Sequence, residues 1–135
     1  DFAKKLVELL GPEELSLTNI KGETALHVAA AVGNTEAAKL LVNKNPDLPQ
    51  IKNHEKLLPL HAAARFGDRT TIHYLLSVTK DEELSLLADE SRFQLLRFLL
   101  SARVYDLVLH LIEKFPELAT MKYQDQTLLG VIAED

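Results

Sequence analysis

Two segments of this chain repeat each other at a spacing of 34 residues, and this spacing restricts the fold more than any other feature. The first segment is Gly22 to Asn34 and the second is Leu57 to Asp68. The identical pairs are Leu26 and Leu60, His27 and His61, Ala29 and Ala63, Gly33 and Gly67, and Leu41 and Leu75. So many identities at one offset indicate a repeated supersecondary unit, which must stack on its neighbours to bury its apolar face.

Each unit has the pattern of a helix, a turn and a second helix. Thr24 is suited to cap the first helix, because its hydroxyl can accept a free N–H of the first turn. Pro59 takes the first-turn position in the second unit, where its missing N–H costs nothing. Gly33 and Gly67 are predicted to end the first helix with positive φ. Apolar residues at helical spacing then predict the second helix.

The units resemble ankyrin repeats. The T-P-L-H-x-A-A-x-x-G core of that family appears here as Thr24 to Gly33 and again as Leu58 to Gly67. The resemblance implies an all-α solenoid of stacked helix–turn–helix units with finger loops. It gives structural roles to Thr24, Leu26, His27, Gly33, Pro59, Leu60, His61 and Gly67, and implies that each histidine bonds backbone in the neighbouring loop.

We expect a single ankyrin-repeat domain over residues 1–135. Its predicted units are a partial repeat at 1–18, a repeat at 19–52, a repeat with an extended loop at 53–88, a divergent repeat at 89–121 and a partial repeat at 122–135. Phe2 to Leu10 fits the second helix of an earlier repeat, Gln94 to Ile112 a third repeat, and Thr127 to Ala133 the first helix of a fourth. The chain is interpreted as a fragment of a longer protein.

Four departures from the family pattern are expected to have structural effects. Lys56 stands where the finger normally has glycine, so that finger should be distorted or shorter, and Leu58 removes the threonine cap. In the third unit Arg97 replaces the histidine and Arg103 replaces the glycine, which predicts less regular stacking. Residues 80–90 add a short helical stretch that lengthens the preceding loop.

The composition and the motifs of the chain argue against an enzyme, a metal-binding protein and a nucleic-acid-binding protein. The formal net charge is −5 and the basic residues are scattered, which disfavours nucleic-acid binding. The chain lacks cysteine and has no His pair at metal-ligand spacing, no nucleotide-binding loop and no nucleophile motif. We therefore predict no enzyme activity, no metal and no small-molecule cofactor. No apolar run approaches the ~20 residues of a membrane span.

A narrower resemblance concerns the segments that follow the second helices. Asn45 to Leu48 recurs as Phe115 to Leu118, and the chain approaches its end with Thr127 to Glu134. These elements look like the ankyrin region of plant ankyrin–transmembrane proteins, the accelerated-cell-death-like family with a PGG membrane domain. The resemblance implies a cytoplasmic location, either free or at the cytosolic face of a membrane. It also implies membrane contact only through segments outside this chain, and a role in stress or immune signalling.

The predicted function is protein–protein interaction. By resemblance, partners meet the finger loops and the exposed ends of the first helices. The candidate binding residues are Ile20, Lys21, Glu23, Val32, His54, Glu55, Leu57, Arg65, Phe66, Tyr123 and Gln124. Phe66 beside Arg65 is the favoured anchor, since aromatic residues and arginine dominate interface hot spots; the alternative is that Phe66 packs on a neighbouring repeat. A second hypothesis is self-association or scaffolding through the open ends of the stack.

Overall fold

The computed structural model describes residues 2–66, 68–120, 122–123, 126–127 and 130. In chain order its helices are α1 (Phe2–Leu9), α2 (Pro12–Leu15), α3 (Ala25–Ala31), α4 (Thr35–Lys44), α5 (Pro59–Phe66), α6 (Arg69–Val78), α7 (Asp81–Ser85), α8 (Asp89–Ser101) and α9 (Tyr105–Lys114). Short 3-10 helices follow α4 at Leu48–Gln50 and α9 at Pro116–Thr120. Strands β1 (Lys122–Tyr123) and β2 (Gln126–Thr127) form a two-stranded antiparallel pair.

The helices form two layers. Helices α3, α5 and α8 stack on one another in an inner layer, and each packs against the helix that follows it, α4, α6 or α9. In the outer layer α1 packs against α4, and α4 against α6. The predicted all-α solenoid of stacked helix–turn–helix units is confirmed. Within the described residues, no helix is long and apolar enough to cross a membrane.

Side chains at the helix starts explain where the helices begin. The Thr24 hydroxyl accepts the His27 N–H at 3.4 Å, as the sequence predicts. Asn34 caps α4 and Asp68 caps α6 in the same way, through the N–H groups of the third helical residues. Pro59 is the first residue of α5, as expected.

A left-handed glycine joins α3 to α4. Gly33 has φ +72°, which confirms the predicted positive φ. A Cβ at this position would also lie 2.6 Å from Asp68 Oδ2 in the next unit. Arg103 takes the corresponding place between α8 and α9 with φ +61°, so the turn is kept at some backbone cost. Gly67, predicted to serve the second unit, lies outside the described residues.

The core runs the length of the stack. Leu26, Leu60 and Leu96 hold equivalent places on α3, α5 and α8, and all three are fully buried. Small residues at Ala30 and Ala64 let the first two inner helices approach closely. The third unit carries Leu100 at the same place, also buried, and this bulkier side chain requires more space between helices.

Two buried histidines tie successive units together. The His27 ring accepts the Thr24 N–H at Nδ1, and its Nε2 donates to the Leu57 carbonyl at 3.1 Å. His61 accepts the Leu58 N–H at 2.9 Å and donates to the Ser91 carbonyl at 2.9 Å. Both bonds reach the next unit, as the family resemblance implies. Both rings are neutral in this arrangement, because an Nδ1 that accepts a hydrogen bond from a backbone N–H carries no proton of its own.

The second finger departs from the expected distortion. Lys56 has φ +66° and adopts the same left-handed conformation as Gly22, which has φ +79° at the equivalent place in the first finger. Asn53 organises residues 53–57 as Asn19 organises residues 19–23, so the finger is neither shortened nor reshaped. The prediction of a distorted finger was wrong, because the asparagine hydrogen bonds outweigh the strain of a left-handed lysine.

The third unit differs from expectation at its start. Helix α8 begins at Asp89, several residues before Gln94, where the segment that fits a third repeat was predicted to start, so a turn of helix stands where the first two units have a finger loop. The short helix α7 precedes it, which confirms the predicted helical stretch between the second and third units. The Ser91 hydroxyl donates to the Lys56 carbonyl at 3.1 Å and fastens this helical turn to the second finger.

Only part of each terminal unit can be compared with the prediction. Helix α1 lies where the second helix of an earlier unit was predicted, and it packs against α4. At the other end, the β1–β2 pair lies where the last finger was expected. The Thr127 hydroxyl accepts the Gly130 N–H at 3.0 Å. The two residues are three apart in sequence, as are Thr24 and His27 in the cap of α3. Most of the predicted helix from Thr127 to Ala133 lies outside the described residues.

Candidate functional site

Two fingers stand beside the inner helices and are built alike. In the first, the Asn19 side-chain oxygen accepts the N–H groups of Lys21 and Glu23 at 2.9 and 3.0 Å. In the second, Asn53 does the same for the two residues at equivalent positions. The His54 N–H donates to the Lys21 carbonyl at 3.0 Å, which joins the two fingers edge to edge. The fingers therefore hold their side chains in fixed register.

A groove of about 100 Å³ lies between these fingers and the inner helices. Its lining residues are Lys21, Glu23, His27, Ala31, Asn53, Glu55, Leu57, Leu58, His61, Ala62, Arg65, Phe66 and Phe98. Six candidate binding residues are among them: Lys21, Glu23, Glu55, Leu57, Arg65 and Phe66. The structure thus brings residues that are distant in sequence to one concave surface.

An arginine close to two aromatic rings forms one wall of the groove. The Arg65 guanidinium carbon lies 5.7 Å from the Phe66 ring centre and 6.0 Å from the Phe98 ring centre, which are cation–π distances. Phe66 is 64% exposed, so its ring is not buried against a neighbouring repeat. This exposure favours the anchor interpretation of Phe66 over the packing alternative.

Phe98 is the groove residue that sequence reasoning missed. It lies 36 residues after Ala62, the same offset that relates Leu60 to Leu96. That offset could have identified it as a groove position, but its place within an apolar stretch of α8 is typical of a core residue. The ring is partly buried against the core and also lines the groove.

Ile20, Val32 and His54, three further candidate residues, do not line the groove. Ile20 is 92% exposed at the tip of the first finger. The His54 ring lies beside Gly22, and a Cβ added at Gly22 would be 2.5 Å from the Cδ2 atom of that ring. Val32 is exposed but borders a separate apolar surface at the α1 end of the stack. Tyr123 belongs to β1. Gln124 lies outside the described residues.

Burial lowers the pKa of both histidines in the groove floor. Desolvation is the main cause for His27, opposed by its bond to the Leu57 carbonyl and by the charge of Glu23. Desolvation also dominates for His61 and lowers its pKa to about 4, although the bond to Ser91 opposes the shift. These rings hold the units together as neutral groups, and they are poorly suited to act as acids or bases near neutral pH.

A larger cleft of about 520 Å³ opens on the outer layer, between α6, α7 and α9. Asp106 lies at its side, 3.1 Å from Arg69 and 3.6 Å from the His73 ring nitrogen. At another side of the cleft Lys114 pairs with Asp81 at 2.6 Å. These polar groups pair with one another across exposed surface. Among the described residues, no group of three or more His, Asp or Glu side chains could hold a metal ion.

The fold and groove define a helical-repeat protein with a concave surface. A family profile described as "Ankyrin repeats (3 copies)" matches residues 1–86. This chain therefore belongs to the ankyrin-repeat family, whose repeats are protein-interaction modules. The match ends before α8, and the divergent third unit lies beyond it.

Curated relatives are animal proteins. Ankyrin repeat domain-containing protein 13C of Danio rerio is 31% identical over 107 residues, which is 79% of this chain and 22% of that protein. The Homo sapiens protein of the same name is 32% identical over 107 residues and 19% of its length. Protein phosphatase 1 regulatory subunit 12A of Mus musculus is 45% identical over 62 residues, or 46% of this chain and 6% of that protein. The chain thus spans less than a quarter of each. No solved structure matches it significantly.

Proposed function

We propose that this chain is a non-catalytic module that binds another protein in the concave groove. The observation that carries the proposal is the convergence of six predicted binding residues on that groove, with the exposed ring of Phe66 at its edge. Aromatic and arginine side chains in such positions are the usual energetic centres of interfaces. The phosphatase relative is named as a regulatory subunit, which agrees with a binding role.

The groove offers partners both an apolar and a polar surface. Ala31, Ala62 and Leu57 provide apolar area between the fingers and the inner helices. Lys21 and Glu55 stand on the fingers and can bond polar groups at the rim. An apolar centre with a polar rim is the common arrangement of protein interfaces.

An affinity capture with two matched double variants tests this proposal. The chain is immobilised as wild type, as Arg65→Ala/Phe66→Ala, and as Tyr105→Ala/Leu109→Ala, and is exposed to an extract of its source cells. The last variant removes an exposed aromatic ring and an exposed aliphatic side chain from the outer helix α9. We expect proteins that are retained by wild type and by the α9 variant and lost from the groove variant.

Stability must be equal for that comparison to be valid. All three proteins are therefore melted first, and the variants are compared only if their midpoints agree with wild type. Equal recovery by all three would contradict the groove as the binding surface. Loss with the α9 variant alone would assign binding to the outer layer instead.

We further propose that the module is the cytosolic part of a membrane-anchored signalling or stress-response protein. Support comes from the recurring segments Asn45 to Leu48 and Phe115 to Leu118, which look like the plant ankyrin–transmembrane family. The named relatives are animal proteins and add nothing to this finer assignment. Alkaline extraction of membranes from cells that make the whole protein should leave it in the membrane pellet, and complete release would refute the proposal.

Self-association is a second candidate function. A largely apolar pocket with a volume of about 340 Å³ lies at the α1 end of the inner layer, between α1, α3 and α4. Ala25 and Val28 on this side of α3 are exposed, whereas the equivalent Pro59 and Ala62 on α5 are buried or half-buried beneath α3. Light scattering should show a dimer that Val28→Gln abolishes; a monomer at all concentrations would exclude this function.

The boundaries of the repeating units remain our proposal. We divide the chain at residues 18, 52, 88 and 121. Limited proteolysis should cut first near these boundaries, because few core side chains lie there. Early cuts within α5 or α8 would contradict the division.

A further inference from the structure

The inner-helix residues that line the groove include one charged side chain, Arg65, and no carboxylate. Residues 25–31 of α3 are uncharged apart from a buried neutral histidine, and residues 59–66 of α5 have Arg65 as their charged residue. The α8 residue that lines the groove is the uncharged Phe98. The chain as a whole has a net charge of −5, whereas the inner-helix part of the groove lining carries the positive charge of Arg65. Such a reversal favours a partner of negative charge.

Arg65 is held in an orientation suited to one type of ligand. The rings of Phe66 and Phe98 lie within cation–π distance of its guanidinium. Rings that contact a planar guanidinium fix it while its edge N–H groups stay available to an acceptor. Within the described chain Arg65 forms no ion pair with a carboxylate, although Glu23 and Glu55 line the same groove.

The two acidic residues of the groove decide which anion fits. The Glu23 carboxylate accepts the Asn19 side-chain N–H at 3.1 Å and is engaged within its own finger. Glu55 is exposed on the second finger. Their negative charges oppose a doubly charged phosphate more than a singly charged carboxylate. Arg65 therefore suits the carboxylate of an aspartate or glutamate.

We propose that the groove binds an acidic peptide segment, in which an Asp or Glu pairs with Arg65 and an adjacent apolar side chain packs on Phe66. The two N–H groups along one guanidinium edge match the two oxygens of a carboxylate. The apolar neighbour fills the groove beside Leu57 and Ala62. This inference rests on the proposed function, because it specifies the chemistry of the partner in the same groove.

Selection from a random peptide library displayed on phage tests the inference without a known partner. Peptides are selected on the wild-type chain and counter-selected on Arg65→Ala/Phe66→Ala. We expect the recovered sequences to share an Asp or Glu next to an aliphatic or aromatic residue. Binding of one recovered peptide is then measured beside its amide version, with Asn or Gln at the acidic position, and beside a phosphoserine version.

Arg65→Gln should weaken the acidic peptide about 10- to 100-fold, as expected for loss of a charge-assisted hydrogen-bonded pair. The amide peptide should bind wild type and Arg65→Gln equally. Arg69→Gln serves as the matched control, because this arginine is exposed on α6 and pairs with Asp106 on the outer face. It should bind the acidic peptide as wild type does, and high salt should weaken the wild-type complex.

The outcomes separate this inference from the proposed function. Groove-dependent peptides that are basic, or that keep their affinity as amides, would refute the acidic partner and leave the groove as a binding surface. Tighter binding of the phosphoserine version would likewise replace the carboxylate with a phosphate. Peptides that bind without dependence on Arg65 and Phe66, or no enrichment at all, would refute both.

Discussion

Protonation of His61 should weaken the attachment of the second unit to the third. The ring is 1% exposed, accepts the Leu58 N–H at Nδ1 and donates to the Ser91 carbonyl from Nε2. A proton on Nδ1 would replace the acceptor of the Leu58 N–H with a second donor, so this hydrogen bond would be lost. The positive charge of the ring would also be buried. Desolvation lowers the His61 pKa to about 4, with the charges of His27 and Lys52 acting in the same direction.

The size and sign of the effect follow from that shift. In the unfolded chain the His61 pKa is 6.5, and in the folded chain it is about 4. Between these values the unfolded chain binds more protons, so the contribution of His61 is complete above about pH 6.5 and is lost as the pH falls towards 4. Each pKa unit corresponds to about 1.4 kcal/mol, which gives a total loss of about 3 kcal/mol.

Urea unfolding of wild type and His61→Gln at pH 7.5, 6.5, 5.5 and 4.5 measures this contribution. Glutamine does not titrate, and the carboxylates common to both proteins cancel in the difference. The stability difference between wild type and variant should shrink by about 2–3 kcal/mol from pH 7.5 to 4.5. His27→Gln should change with the same sign, since burial also lowers the His27 pKa. A difference that stays constant across this range would refute the reasoning.

Four further substitutions test the packing and the fingers, each by urea unfolding at pH 7.5. Lys56→Gly should stabilise the folded chain by about 0.5–1 kcal/mol. The glycine relieves ~1–2 kcal/mol of left-handed backbone strain, which exceeds the ~0.4–1 kcal/mol by which it raises the conformational entropy of the unfolded chain. A less stable variant would contradict this. Leu60→Ala should cost ~2–5 kcal/mol, and Phe66→Ala much less, since its ring is largely exposed; equal losses would place Phe66 in the core. Gly22→Ala should cost at least ~1–2 kcal/mol, because the new Cβ would lie 2.8 Å from the His54 backbone nitrogen at a φ of +79°; wild-type stability would show that the finger can relax.

The stacked architecture could be predicted because its causes are local and repeated. The cap at Thr24, the left-handed turn at Gly33 and the first-turn proline at Pro59 are each specified by one residue type at one position. The 34-residue offset then extends the same assignments to the next unit. The bonds of His27 and His61 came from the family resemblance, because nothing local shows which carbonyl a buried ring will reach.

Two features of the fingers could not be predicted from residue types alone. A lysine at the glycine position indicated distortion, but the bonds of Asn53 to two backbone N–H groups hold Lys56 in the left-handed conformation. The third unit also begins differently from the first two, with a turn of helix in place of a finger. Acidic Asp89 and Glu90 stand in the first turn of α8, where they favour a helix N-terminus.

The residues of the candidate site could be predicted where the repeat offset determines their place in the fold. They could not be predicted where the conformation of a finger loop decides which side chains face the groove. Lys21 and Glu55 line the groove because each stands two residues after the asparagine that organises its finger. Ile20 and His54 precede them by one residue and do not line the groove. Neighbouring residues of a finger thus differ in whether they line the groove. The difference depends on the backbone conformation of the finger, which the residue types do not reveal.

The divergence of the third unit and the chemistry of the groove are connected. With alanine at position 98, as at the equivalent Ala62 of α5, Arg65 would be near one aromatic ring instead of two. The phenylalanine on α8 supplies a second ring, and the bulkier helix that carries it is fastened to the second finger by the Ser91–Lys56 bond. The unit that has lost the family's histidine and glycine thereby completes the arginine stack. Its departures from the repeat pattern are the features that distinguish this groove from one formed by regular repeats.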